Sequence, residues 1–211
     1  IWTHAIGSGA IQLALDAYAQ DPEKTRLLRH RVEHVEIPFA EDICRFRGLG
    51  AVACLQPVMV APSDEWMGMQ GVWAQRVRES ELERAFPNRA LLDTGSVVAF
   101  GTDWPIVSLS PLRGISKAVT RCSLAGGAAF VPRQAITVSE ALYAYTAAGA
   151  FACHREVEEG SIEVGKLADL VVLSADPADV SPEQIPEISV LMTILGGRVV
   201  YDARPDAESI L

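Results

Sequence analysis

Apolar residues at Ile11, Ala14, Leu15 and Tyr18 recur at the i, i+3, i+4, i+7 spacing of a helix with one buried face. Asp21-Pro22 is expected to end that helix. Arg31 to Val35 reads as a strand, and Pro38 with Glu41 and Asp42 opens a second helix whose apolar side is Ile43, Phe46 and Leu49. Ala51 to Gln56 is an almost unbroken apolar run stopped by Pro57, the pattern of a parallel strand buried on both faces. A short helix is expected from Arg89 to Asp93, and a fourth strand from Val97 to Asp103. Two helical stretches follow. The second begins with the capping box Thr137-Val138-Ser139-Glu140 and carries Ala141, Ala144, Tyr145 and Ala148 on one face. This alternation predicts an α/β fold with a mostly parallel sheet and right-handed crossovers.

The texture changes after about Glu156. The stretches 160–173 and 190–201 read as turns and strands, the latter hinged at Gly196-Gly197 as a hairpin. This predicts a small β unit appended to the α/β part, with residues 1–156 and 157–211 as the two domains. Between Val58 and Trp73 an irregular segment carries Met59, Pro62, Trp66, Met67, Met69 and Trp73. A connector this long and apolar reads as a pocket wall or lid for an apolar or aromatic substrate, or as a surface that packs on other polypeptide.

Composition narrows the class. The 211 residues are 49% hydrophobic and 21% charged, with a net charge of −9 and no Lys/Arg stripe, which disfavours nucleic acid and anionic membranes as partners. No run of about 18 apolar residues would span a bilayer. Cys44, Cys54, Cys122 and Cys153 are scattered without a C-x-x-C pair, which fits a reducing cytoplasm. The first residue is Ile rather than Met, so the start of this sequence is not expected to be the start of translation.

Three of the predicted strands end in a residue able to bind a metal: His4, His34 and Asp103. Taken singly, each histidine reads as a hydrogen-bonded structural residue, and Asp103 as a turn or capping aspartate. Together, at the C-terminal ends of neighbouring parallel strands, two imidazoles and a carboxylate would suit Zn²⁺ foremost, and also Fe²⁺, Mn²⁺ or Co²⁺. Asp103 could then act as the base toward an attacking water. His30, at the start of its strand, reads as structural, and His154 as a solvated surface residue. Gly7 and Gly9 more simply permit a tight turn than cradle a phosphate. No G-x-S-x-G, Walker A, dinucleotide-binding G-x-G-x-x-G or H-E-x-x-H motif occurs.

The stretches His4-Ala5-Ile6-Gly7, His30-Arg31-Val32-Glu33-His34, Phe100-Gly101-Thr102-Asp103-Trp104-Pro105 and Gly160 to Leu173 resemble, in order, the C-terminal half of amidohydrolase family 3, the long metal-dependent hydrolases. The resemblance implies strands five to eight of a TIM-like (β/α)8 barrel plus part of a small β-sandwich. It implies His4 and His34 as metal ligands ending strands five and six. Asp103 would end strand eight as metal ligand and general base, with Lys166 and Asp169 structural in the sandwich. It further implies hydrolysis of an amide or other C–N bond in a small molecule. Ser8 departs from the aspartate common in relatives, and the strand-one His-x-His pair and the strand-four ligand do not occur. The chain is therefore expected to be an incomplete portion of the enzyme, inactive alone, with the missing N-terminal half as partner and a homo-oligomer as a further possibility. Two other readings stand beside it: a non-catalytic half-barrel for oligomerisation or regulation, and a non-haem iron oxygenase built on a two-histidine, one-carboxylate triad.

Overall fold

The computed structural model describes residues 1–60 and 72–204. Its first half alternates strand and helix: β1 (Trp2–Ala5), α1 (Ser8–Tyr18), α2 (Pro22–Leu27), β2 (Arg31–His34), α3 (Ala40–Leu49) and β3 (Val52–Leu55). Three short helices follow, α4 (Val72–Arg76), α5 (Glu79–Leu82) and α6 (Asn88–Asp93), before β4 (Val98–Phe100). The helices α7 (Pro111–Thr120), α8 (Val138–Tyr145) and α9 (Ala147–Ala152) come next. The strands β5 (Leu170–Leu173), β6 (Val190–Leu195) and β7 (Arg198–Asp202) close the described chain.

The strands β1 to β4 form one parallel sheet in sequence order, with His4 opposite Glu33 and Glu33 opposite Cys54. Alternation splits the buried positions between two faces. Val32, Ala53, Leu55, Val98 and Phe100 join Ile11, Leu15, Phe46, Leu112 and Ile115 in the main core. Val52, Cys54 and Ala99 face the other way and pack on Ala148 and Ala152 of α9. Cover on both faces is why 51–56 reads as a continuous apolar run. The expected capping box at Thr137 and Glu140 is formed, with each side chain bonded to the other residue's backbone N–H.

The structure corrects several element bounds. Asp21-Pro22 starts a helix rather than merely ending one: Asp21 Oδ1 accepts the Lys24 N–H at 3.0 Å and Pro22 occupies the first turn of α2. The strand expected to reach Val35 stops at His34, because both residues adopt positive φ (78° and 47°). The strand expected to run from Val97 to Asp103 is only Val98–Phe100. Of 160–173, only Leu170–Leu173 is extended, and it lies antiparallel to β6. The hairpin at Gly196-Gly197 is present, both glycines at positive φ between β6 and β7. Pro62, Trp66, Met67 and Met69 lie outside the described residues.

Ile185 and Ile188, between β5 and β6, belong to the main core, so the antiparallel sheet is tied to the rest by its connecting loop. Arg121, fully buried after α7, donates to the carbonyls of Phe130, Phe86 and Ala85. Burial lowers its pKa to about 9, so at neutral pH it remains a cation balanced by backbone dipoles.

Candidate functional site

Parallel pairing sets Ala5 beside His34, which brings the C-terminal ends of β1 and β2 together. The His4 and His34 rings meet edge to face with centroids 4.3 Å apart. His34 is buried, and among the described residues its Nδ1 has no hydrogen-bond partner. Its pKa is lowered, first by burial and then by the nearby His4 imidazole; Asp103 and a side-chain hydrogen bond with Gln56 act the other way.

His34 and Asp103 share a backbone peculiarity. His34 ends β2 and Asp103 lies three residues beyond β4, and each has a positive φ, 78° and 62°, a region that non-glycine residues seldom enter. At His34 the chain thus turns out of the sheet at the residue whose side chain must be displayed, while at Asp103 the turn comes in the loop after β4. Strain of this kind is known to gather at functional sites, where the surrounding fold holds it.

Asp103 is exposed, next to an exposed Trp104, and Trp104 N–H donates to Thr102 Oγ1 at 3.3 Å. Its charge is felt at His34 and at Glu33, whose pKa is raised by burial against the opposing pull of Arg31. The structure therefore brings His4 and His34 into contact and sets Asp103 within electrostatic range. Among the described residues it does not gather three His, Cys, Asp or Glu side chains into a metal-holding group. The intervening β3 accounts for the spacing, since Asp103 follows β4, two strands from His34. His30 is buried at the other end of β2, its Nδ1 3.0 Å from the amino group of Ile1.

Two features escaped the sequence reading. Gln56 follows β3 as a buried polar residue, the same signature that marked His34, but lies within an apolar run. Glu36, fully buried two residues after His34, accepts a hydrogen bond from Trp73 Nε1, and burial raises its pKa to about 7. Ser8, the first residue of α1, donates Oγ–H to the Ile37 carbonyl at 2.7 Å and so ties the start of α1 to the loop after β2.

Paired imidazoles with a buried, unpartnered ring nitrogen and a nearby carboxylate are a donor set suited to a borderline-soft divalent cation. A family model for the amidohydrolase family, family 3, matches residues 1–201. The chain belongs to that family. An N-substituted formamide deformylase of Arthrobacter pascens is 36% identical over 203 residues, covering 94% of this chain and 36% of that protein. The protein LONG AFTER FAR-RED 3 of Arabidopsis thaliana is 32% identical over 202 residues, covering 94% of this chain and 33% of its own length. An uncharacterized metal-dependent hydrolase from Pyrococcus horikoshii superposes with a TM-score of 0.72 at 24% identity, over 86% of this chain and 35% of that one. This amidohydrolase chain thus spans about a third of the length of the curated relatives it matches.

Proposed function

We propose that this chain is part of a metal-dependent amidohydrolase that cleaves an amide or other C–N bond of a small molecule. The observation that carries the reading is the His4–His34 pair at adjacent strand ends, with His34 Nδ1 buried and unpartnered. His4, His34 and Asp103 would hold the cation, Zn²⁺ foremost, with Fe²⁺, Mn²⁺ or Co²⁺ as alternatives. A bound divalent ion supplies Lewis acidity and lowers the pKa of water from 15.7 to about 7.

The rest of the chemistry belongs to side chains. Burial beside His4 favours the neutral form of His34, the form whose nitrogen lone pair can ligate. Asp103 accepts a proton from the attacking water and returns it to the leaving nitrogen, as a general base and then a general acid. Hydrolysis of a substrate like the one named for the Arthrobacter relative would release an amine and a carboxylic acid.

The site is completed, in this reading, by polypeptide beyond these 211 residues, placing β1 to β4 as strands five to eight of a (β/α)8 barrel and β5 to β7 in a sandwich. Support comes from the third-length coverage of relatives and from β1, where Trp2 is 70% exposed and Thr3 and His4 line a cavity of about 420 Å³ with Leu13 and Tyr18. The test uses the intact natural polypeptide: metal content by mass spectrometry, and release of amine from N-substituted formamides before and after chelation. Activity that is lost with the metal and restored by Zn²⁺ is the expected result. A protein without bound metal, inert to every C–N substrate tried, would sink the reading.

A further inference from the structure

At the other end of the sheet from His4 and His34, the chain passes into β3 and β4 through two tight turns. Each contains a glycine in the left-handed region, Gly50 at φ 67° and Gly95 at φ 74°. An arginine lies over each. A Cβ on Gly50 would stand 2.9 Å from Arg26 Cγ, and one on Gly95 would stand 3.8 Å from Arg47 Nε. Between the turns lies a cavity of about 370 Å³, within the size range of small-ligand sites. Arg26 and Arg47, both exposed, line it, Ser96 supplies a hydroxyl, and the half-buried Phe151 is its aromatic wall, with Phe46 fully buried beneath. No acidic side chain lines it, in a chain whose net charge is −9.

One plain account is that these arginines serve the C-terminal end of α3. Arg26 does so, donating Nη2–H to the Gly48 carbonyl at 3.0 Å. Arg47 does not: among the described residues no hydrogen bond or ion pair engages its guanidinium. Phe151 is itself backed by the Arg29 guanidinium, 3.7 Å from its ring centroid, and Arg29 is held by Glu156. The aromatic wall is therefore held, whereas Arg47 is an exposed cation that no described acidic side chain neutralises.

We propose that this cavity is a binding site for a small organic carboxylate with an apolar body. The planar guanidinium of Arg47 would take the carboxylate in a two-point bond, assisted by the remaining N–H groups of Arg26, while the body lies on Phe151 and Val97. Every wall comes from segments of this chain, 26, 46–51, 95–97 and 151, so the site does not depend on the proposed hydrolase reading.

Benzoate is the probe, with acetate, inorganic phosphate and benzamide as comparisons, by calorimetry on the intact protein. Benzoate should bind saturably and at least about tenfold tighter than acetate, phosphate or benzamide, since it alone offers both charge and ring. Arg47→Gln should weaken benzoate about tenfold or more, and His34→Ala should leave it unchanged. If Arg47→Gln is poorly folded, the rate of phenylglyoxal modification at Arg47 in the natural protein serves instead, and benzoate should slow it. Binding lost in His34→Ala and kept in Arg47→Gln would place the carboxylate at the strand-end histidines and overturn the proposal. So would equal binding of acetate and benzoate, or no saturable benzoate binding with Arg47 modified at an unaltered rate.

Discussion

His34 presents a buried Nδ1 with no hydrogen-bond partner among the described residues, its ring edge to face against His4 at 4.3 Å between centroids. A buried polar atom left without a partner costs roughly 1–3 kcal/mol, so folds seldom keep one without a use. A cation shared by the two rings is the use proposed above. Replacing His34 by alanine in the intact protein should then lower bound metal and reduce kcat/KM by more than about 100-fold, beyond what losing an outer-shell partner costs. Thermal stability without metal should hardly change, because the variant also removes the unsatisfied nitrogen. A variant that keeps its metal and activity would refute the assignment.

Asp103 carries a different part of the chemistry. Asp103→Asn keeps the shape and the turn-compatible side chain but cannot accept the water's proton. The expected loss in kcat is about 10² to 10⁴-fold, the usual yield of a positioned general base. The KM should shift far less. Single-turnover amine release under saturating substrate would check it, and an unchanged kcat would remove Asp103 from the mechanism.

Gly114 of α7 and Tyr145 of α8 approach closely: a Cβ at Gly114 would stand 1.9 Å from Tyr145 Oη, the shortest such approach among the described glycines. Gly114→Ala should destabilise the protein by about 1–3 kcal/mol through overpacking, despite the better helix propensity of alanine. Tyr145 Oη is buried without a partner, so Tyr145→Phe should be neutral or stabilising. The double variant should recover part of the loss. Chemical denaturation of the four proteins closes this cycle, and additive effects would contradict the contact.

Much of this was legible in sequence because the signals were local. The stripe Ile11, Ala14, Leu15, Tyr18 and the capping box at Thr137 depend on neighbours within two turns, and both reappear in the structure. The meeting of His4 and His34 could be anticipated from parallel pairing of adjacent strand ends. The end of β2 was overrun, because a positive φ at His34 and Val35 has no sequence mark when the residue is not glycine, and β4 was drawn three residues too long, past Phe100 into the loop that carries Asp103. Asp21-Pro22 was misread because the same pair can stop one helix and cap the next. Glu36 and Arg121 were invisible for a deeper reason. Their meaning lies in contacts with Trp73, Phe86 and Phe130, dozens of residues away or across loops, which no local pattern encodes.

Glu140 links α8 to α6 and gives the fold an acid-sensitive joint. Its carboxylate accepts from Arg89, by two guanidinium nitrogens, and from the Thr137 N–H at 2.8 Å. Hydrogen bonding from Arg89, chiefly, holds its pKa at about 2, below the ordinary 4.5. The folded state therefore binds fewer protons than the unfolded chain between those values, and stability must fall as pH drops through that window. Above 4.5 the contribution is complete and flat. Both side chains are about one-third exposed, at 29% and 34%, so solvent screens the pair and added salt should shrink the effect. Arg89→Met should flatten the acid limb of a stability–pH profile between 4.5 and 2, leaving the capping box in place. Thr137→Ala should instead cost about 1 kcal/mol at neutral pH, the ordinary worth of a helix cap, and should trim the acid limb only in part, because the Thr137 hydroxyl also donates to the Glu140 carboxylate at 2.9 Å. Urea midpoints measured from pH 7 to pH 2.5 separate the two. A profile in which Arg89→Met keeps the full acid slope would show that other carboxylates carry it.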